Sequence, residues 1–135
     1  MNLLNDISFK RLQGALDASN TRQRAIANNI ANADTPYFKR SDVSFEVMLQ
    51  EQMNGEMPLL KGKITDPRHI VIGPSSSVPT PVVNMDQSTS MNNNQNNVDI
   101  GREMSLLAEN QLRYSAYIQQ VNEQIKMMRI GVERR

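Results

Sequence analysis

The last third of the chain constrains the fold most. Ile100, Met104, Leu107, Gln111, Tyr114, Ile118, Val121, Ile125, Met128 and Val132 alternate steps of four and three to the C-terminal end, and only Gln111 interrupts the apolar row. A mean spacing of 3.5 residues keeps such a row on one side of a helix and predicts a continuous seam. Asp99 is placed to cap the helix start, and Glu103 suits the first turn, where exposed N–H groups favour an anion. Lys126, Arg129, Arg134 and Arg135 crowd the other end. At about 1.5 Å per residue this helix is roughly 50 Å long, more than a compact domain of this size encloses. The seam asks for a long partner.

Residues 7–33 carry a weaker copy of the spacing in Phe9, Leu12, Leu16, Ser19, Gln23, Ile26, Ile30 and Ala33, apolar at both ends and polar in the middle. Lys10, Arg11, Asp17, Arg22 and Arg24 fall off the stripe, as an amphipathic helix requires. Gly14 inside it costs about 1 kcal/mol relative to Ala. Polar groups weaken a seam but fix its register, a role this reading gives to Ser19, Gln23 and Gln111. The helix stops near Asp34-Thr35-Pro36, because the residue before proline is pushed out of the helical region. From Asp42, read as an N-cap, Phe45, Met48, Leu49 and Met53 fit one face of a short helix that Asn54-Gly55 ends. The alternation of Val43, Phe45, Val47 and Leu49 also suits a strand, but Gln50-Glu51-Gln52 favours helix.

Residues 56–85 hold all but one of the six prolines and two β-branched runs, Ile70-Val71-Ile72 and Val82-Val83. A small hairpin across Gly73–Ser77 joins these runs, with Pro79 and Pro81 confining the second to an edge. From Asp86 to Asn97 one residue in twelve is apolar, which predicts a flexible linker. The expected fold is mainly α: long N- and C-terminal helices form an antiparallel coiled coil around a small irregular or β insert and that linker. Its parts are residues 1–35, 36–97 and 98–135. A lone two-helix hairpin of this kind is marginal, and burial against other chains makes up the difference.

Composition excludes more than it identifies. Charges nearly cancel, 15 Lys and Arg against 14 Asp and Glu. Six basic residues meet three acidic ones in 1–40, three meet six in 41–97, and six meet five in 98–135. That is too weak a field for nucleic acid, and no aromatic-studded basic stripe accompanies it. Without cysteine there is no disulfide and no thiolate metal site. No apolar run suits a cleaved signal peptide or a membrane span. No Gly-rich phosphate loop, metal-spaced His cluster or nucleophile elbow occurs, so no metal, cofactor, small-molecule substrate or catalytic residue is expected. His69 is the only histidine; Asp66 would orient it, but no nucleophile stands beside them. Nine methionines read as adaptable packing. Tyr114 falls in the seam, and Tyr117 is the better candidate for a contact between subunits.

The stretch Ala27-Asn28-Asn29-Ile30-Ala31-Asn32-Ala33-Asp34-Thr35-Pro36 places three asparagines, mediocre helix formers, within five residues of a helix end. Small alanines between amides permit close helix approach and bonding across an interface. A frayed, amide-capped terminus is the plainer account. The stretch resembles the N-terminal signature of the axial proteins of the bacterial flagellum, a small residue then Asn-Asn-Ile-Ala-Asn, two further residues and Thr-Pro-Gly-Tyr. The likeness continues at Lys39-Arg40, Asp42-Val43 and Phe45, and resumes at Asn97-Val98-Asp99-Ile100, Glu103-Met104, Leu107-Ala108-Glu109-Asn110 and Tyr114. It spans roughly residues 9–49 and 97–132, and with the short length it points to the proximal rod. Two positions depart. Tyr37 replaces the glycine after Thr-Pro, which predicts another turn type, because a type II turn needs a positive φ there. Gly101 stands where the family commonly has Asp.

The resemblance implies a non-catalytic structural subunit. It would leave the cell through the flagellar type III export apparatus without a cleaved signal, and join the basal body rod outside the cytoplasmic membrane. Implied partners are copies of itself, other proximal rod proteins and the protein that joins the membrane (MS) ring to the rod. Implied assembly residues are Phe9, Leu12, Leu16, Ile26 and Ile30 against Leu107, Tyr114, Ile118, Val121 and Ile125, with Asn28, Asn29 and Asn32 at contacts between subunits. Two other readings stay open. A cytoplasmic coiled-coil adaptor or secretion chaperone would fold stably at low concentration with protease-resistant termini. A small enzyme would lose its activity on replacement of His69.

Overall fold

The computed structural model describes residues 7–54, 78–87 and 95–133. Helix α1 (Ile7–Ala31) is followed by strand β1 (Ser41–Ser44), helix α2 (Glu46–Asn54), strand β2 (Val82–Met85) and helix α3 (Ile100–Glu133). The fold is mainly α, as the apolar spacing predicts. Helices α1 and α3 run antiparallel, since Ser19 meets Asn110 and, ten residues further along α1, Asn29 meets Glu103. With 34 residues against 25, α3 is the longer member.

Along α1 the predicted stripe packs inward: Leu12, Ser19, Ile26 and Ala33 are buried, while Phe9, Leu16 and Ile30 are half-buried. Gln23 breaks the pattern and is exposed, so it fixes no register. Gly14 has a packing reason to be there. A Cβ at that position would stand 2.7 Å from Val78 Cγ1 and 3.2 Å from Phe45 Cζ, so the missing methyl admits both side chains against the helix. Phe45 is 1 % exposed and forms a small core with Ala15 and Ala18, against which Leu49, Val78 and Tyr117 pack.

After Ala31 the backbone tightens through Thr35 N to Asn32 O (3.0 Å) and then Phe38 N to Thr35 O (3.3 Å). Tyr37 takes φ 62° in this second turn. The expectation of another turn type is therefore corrected: Pro36 at the second position and positive φ at the third are the type II pattern, adopted here by tyrosine. A left-handed L-residue costs roughly 1–2 kcal/mol, so something outside the turn must hold it.

Two further expectations change. Asp42 caps no helix; it lies in β1, and α2 starts four residues later, with Leu49 N bonded to Phe45 O at 2.9 Å. Both periodicities read in this stretch are real, strand first and helix after. The strand expected at Val82-Val83 forms as β2, and its expected hairpin partner Ile70–Ile72 lies outside the described residues. Strand β2 pairs antiparallel with β1, Ser41 opposite Met85 and Ser44 opposite Val82. Val43 supplies the reason, because it is the inward residue of this ribbon, 4 % exposed, whereas all four β2 residues are exposed. The end of the expected linker is also fixed in place, with Asn96 and Asn97 both buried.

Candidate assembly surface

Asp99 caps α3 as predicted: its Oδ1 accepts from Gly101 N at 2.9 Å and Arg102 N at 3.3 Å. The next turn departs from the predicted seam. Glu103 is fully buried, where Oε1 accepts from Arg40 Nε and Oε2 from Asn29 Nδ2, each at 3.0 Å. Asn29 spends its remaining capacity on β1, donating to Ser41 O at 2.8 Å and accepting from Ser41 N at 2.9 Å. Two turns on, Asn110 Oδ1 accepts from Ser19 Oγ at 3.0 Å, and Asn110 Nδ2 donates to Ser19 O at 2.9 Å. Among the described residues no buried side-chain polar atom lacks a partner, so this interior is polar but satisfied.

Asn96 closes the same end of the pair. Its Nδ2 lies 2.9 Å from each of the carbonyl oxygens of Asn32, Ala33 and Thr35, and its Oδ1 accepts from Val98 N at 2.6 Å. One amide thus ties the carbonyls just past the end of α1 to the approach of α3. It also grips Thr35 O, the acceptor of the turn that holds Tyr37. Asn97 works alongside, accepting from Arg40 N at 2.7 Å and donating to Asp86 O at 2.9 Å. Sequence reasoning placed Glu103 in the first turn of α3, as found, but missed that Glu103, Asn110, Asn96 and Arg40 are buried and bonded inside the subunit. Glu103 and Asn110 do share a seven-residue step, continued by Tyr117 and Gln124, and that column was the one available signal.

These bonds set which side of α3 faces α1. Leu107, Tyr114 and Val121 are half-buried beside α1, as is Tyr117, which packs against the core, and Met128 is half-buried further along α3. The other half of the predicted seam points outward: Met104 is 53 % exposed, Ile118 37 %, Ile125 42 % and Val132 65 %, with Gln111 exposed between them. Gln111 accordingly fixes no register within the subunit. No residue of α3 after Asn110 is buried. Of the asparagines, Asn28 is exposed, Asn29 is consumed internally, and Asn32 Nδ2 donates to Asn28 O at 2.8 Å and Asn28 Oδ1 at 3.0 Å.

A shallow cleft of about 210 Å³ opens between α1, β1 and α3, floored by Ile26, Val43 and Leu106. Its arginines are already matched. Arg22 holds the Glu46 carboxylate through both terminal nitrogens, at 2.7 and 2.5 Å, and Arg113 reaches Glu46 at 3.3 Å and Glu109 at 2.6 Å. The hydrogen bonds that Arg22 donates to Glu46 raise its pKa against the opposing effect of burial. Burial pushes the Glu46 carboxyl up, but the Arg22 bonds, the local backbone and the charges of Arg22 and Arg113 outweigh it, leaving it below the ordinary carboxylate range. No group of His, Cys, Asp or Glu among the described residues is gathered to hold a metal ion, and His69 lies outside them. No helix among them is long and apolar enough to cross a membrane.

A helix pair clasped by buried polar bonds at one end, with an apolar row along the outside of its longer member, has the build of a structural subunit. Residues 11–39, which contain the asparagine stretch and the Tyr37 turn, match the model of the family of flagella basal body rod proteins. The chain is 37 % identical to the flagellar basal body rod protein FlgB of Bacillus subtilis, over 85 % of this chain and 84 % of that one. It is 39 % identical to FlgB of Borreliella burgdorferi, over 73 % and 76 %, and 31 % identical to FlgB of Salmonella typhimurium, over 91 % of both. The chain belongs to the FlgB family of flagellar basal body rod proteins.

Proposed function

We propose that this protein is a subunit of the proximal rod that reaches its site through the flagellar type III export apparatus without a cleaved signal. There its terminal helices, within residues 1–35 and 98–135, join a coiled-coil tube that transmits torque, and residues 36–97 form the variable part. The observation that carries the reading is the outward apolar row of α3. Burying Met104, Ile118, Ile125 and Val132 against neighbouring helices is worth about 1.5–3 kcal/mol for each side chain fully covered. A head-to-tail contact that does not close on itself continues as a filament, which suits a rod. Partners are copies of this chain, other proximal rod proteins and the MS-ring-to-rod junction protein. Phe9, Leu12, Leu16, Ile26 and Ile30 support the inner face of the pair with Leu107, Tyr114 and Val121. Ile118, Ile125, Asn28 and Asn32 meet neighbours, while Asn29 acts from within by holding Glu103.

Ile118→Asp tests this reading. A carboxylate on an exposed position leaves the subunit fold and its export intact, yet it places a charge in the interface. The variant is expected in the exported fraction and absent from isolated basal bodies. Its recovery in normal rods would overturn the proposal.

A further inference from the structure

Helix α3 turns a polar column innermost toward α1 and leaves one of its two apolar columns outside, an angle that hydrophobic burial alone would not select. Three parallel columns, each repeating every seven residues, describe it. Glu103 and Asn110 lie innermost, Leu107 and Tyr114 sit half-buried beside them, and Met104, Ile118 and Ile125 are exposed. A rotation of α3 about its own axis by roughly 50°, half the angular step between neighbouring residues, would centre the middle and outer columns on α1. We propose that Ser19–Asn110 and Arg40–Glu103–Asn29 form a two-point rotational lock that holds the apolar column of α3 outward.

The lock works because its two points lie two turns apart on one stiff helix. A single contact would leave α3 free to swivel, but two fix its orientation. Rotation would carry Glu103 and Asn110 to water at little cost to themselves. Their partners would suffer: the Arg40 guanidinium, 7 % exposed, would lose its closest carboxylate, and the next, those of Asp86 and Asp42, lie 3.7 and 3.9 Å from it. The Ser19 hydroxyl, 1 % exposed, would lose its acceptor. Leaving a buried charge only its longer contacts and a buried hydroxyl no acceptor both cost free energy, and these costs oppose the gain from covering apolar side chains. Hydrophobic attraction has no direction of its own, so directional bonds decide the angle. Ser19, Arg40, Asn29, Glu103 and Asn110 are thus positioning residues for a surface none of them touches, and the inference holds whatever comes to cover that surface.

The chain has no cysteine, so single thiols report the angle cleanly. Ile118→Cys and Ile125→Cys sample the outer column and Gln124→Cys the inner one. Maleimide reaction rates are measured on the full chain, at dilutions where light scattering gives the monomer mass. With the lock intact, the outer thiols should react at least threefold faster than the thiol at 124. Ser19→Ala with Asn110→Ala removes one point without stranding a partner and should slow the outer thiols at least twofold. Adding Arg40→Met with Glu103→Ala should invert the order. Slowing of an outer thiol cannot come from unfolding, which accelerates every position. Should the fourfold variant lose its helical circular dichroism, the Ser19/Asn110 pair decides by the same criterion. Outer rates unchanged or raised in a helical unlocked chain would overturn the lock.

Discussion

A single amide does the work of a capping motif here. Asn96 is set against three carbonyls just past the end of α1, of which those of Asn32 and Thr35 also accept a backbone N–H, and it does so from 61 to 64 residues away in sequence. Asn96→Ala should cost about 2–3 kcal/mol in urea unfolding, counting roughly 1 kcal/mol for each of its two amide N–H donors and for the bond its Oδ1 accepts from Val98 N. Asn96→Asp should cost more at neutral pH, since a carboxylate has no donor and turns negative oxygens toward the carbonyls. A milder Asp than Ala phenotype would mean the amide donates nothing there. The neighbouring turn gives the opposite sign. Tyr37 is 71 % exposed at φ 62°, so Tyr37→Gly removes the left-handed penalty without opening a cavity. Glycine is more flexible when unfolded, which offsets part of the relief. The net expectation is a gain of up to about 1 kcal/mol, seen as a higher melting temperature. Neither role was legible in the sequence. Asn96 sat in a run of polar residues whose composition says linker, and its acceptors belong to another element. Tyr37 was legible as the wrong residue for the turn, yet the turn forms because Thr35 O is held from outside.

At the scale of elements, apolar period fixed the helices well and their azimuth poorly. The 3.5-residue row of α3 and the weaker row of α1 predicted two long helices and the inward residues of α1. For α3 the row contained two columns, and only the one with Leu107, Tyr114 and Val121 lies half-buried beside α1. The inner column of Glu103 and Asn110 has the same period, so spacing cannot rank it. Only partners 74 and 91 residues distant reveal it. The ribbon teaches the same point, since β2 chose β1 because Val43 had a core to enter. Gly14 shows an element sacrificing its own propensity for its neighbours. Gly14→Ala should gain about 1 kcal/mol of helix propensity and lose more by pressing its Cβ into Val78 and Phe45, for a net destabilisation of about 1–2 kcal/mol. Combining it with Val78→Ala should recover part of the loss. Stabilisation by Gly14→Ala alone would show that the space is not needed.

Across the molecule, Glu46 is the meeting point of three helices: it sits in α2, accepts from Arg22 of α1 and faces Arg113 of α3. Its carboxyl is held below the ordinary range in the folded chain. A depressed folded pKa contributes stability that is present above the unfolded pKa, near about 4.3 for Glu, and is lost as pH falls through the folded one. Urea midpoints should therefore decline as the solution is taken from pH 6 to pH 3, and Glu46→Gln should decline less over the same range. Parallel profiles for both chains would remove Glu46 from the acid response. Salt should weaken the outer Arg113 contacts more than the Arg22 grip, because the latter is largely shielded from solvent.

Sequence alone was enough for two long amphipathic helices near the chain ends, a length beyond one small core, the stop of α1 before Pro36, and an asparagine stretch that resembles the signature of flagellar axial proteins. Those features are local, carried by period, caps and short motifs. Tertiary structure alone decided that Glu103 and Asn110 face inward, that Asn96 closes the end of α1, that β2 joins β1, and that half of the apolar seam is left outside. Each of these depends on where a directional bond finds its partner. Hydrophobic spacing says how much surface must be covered, and the buried hydrogen bonds say which.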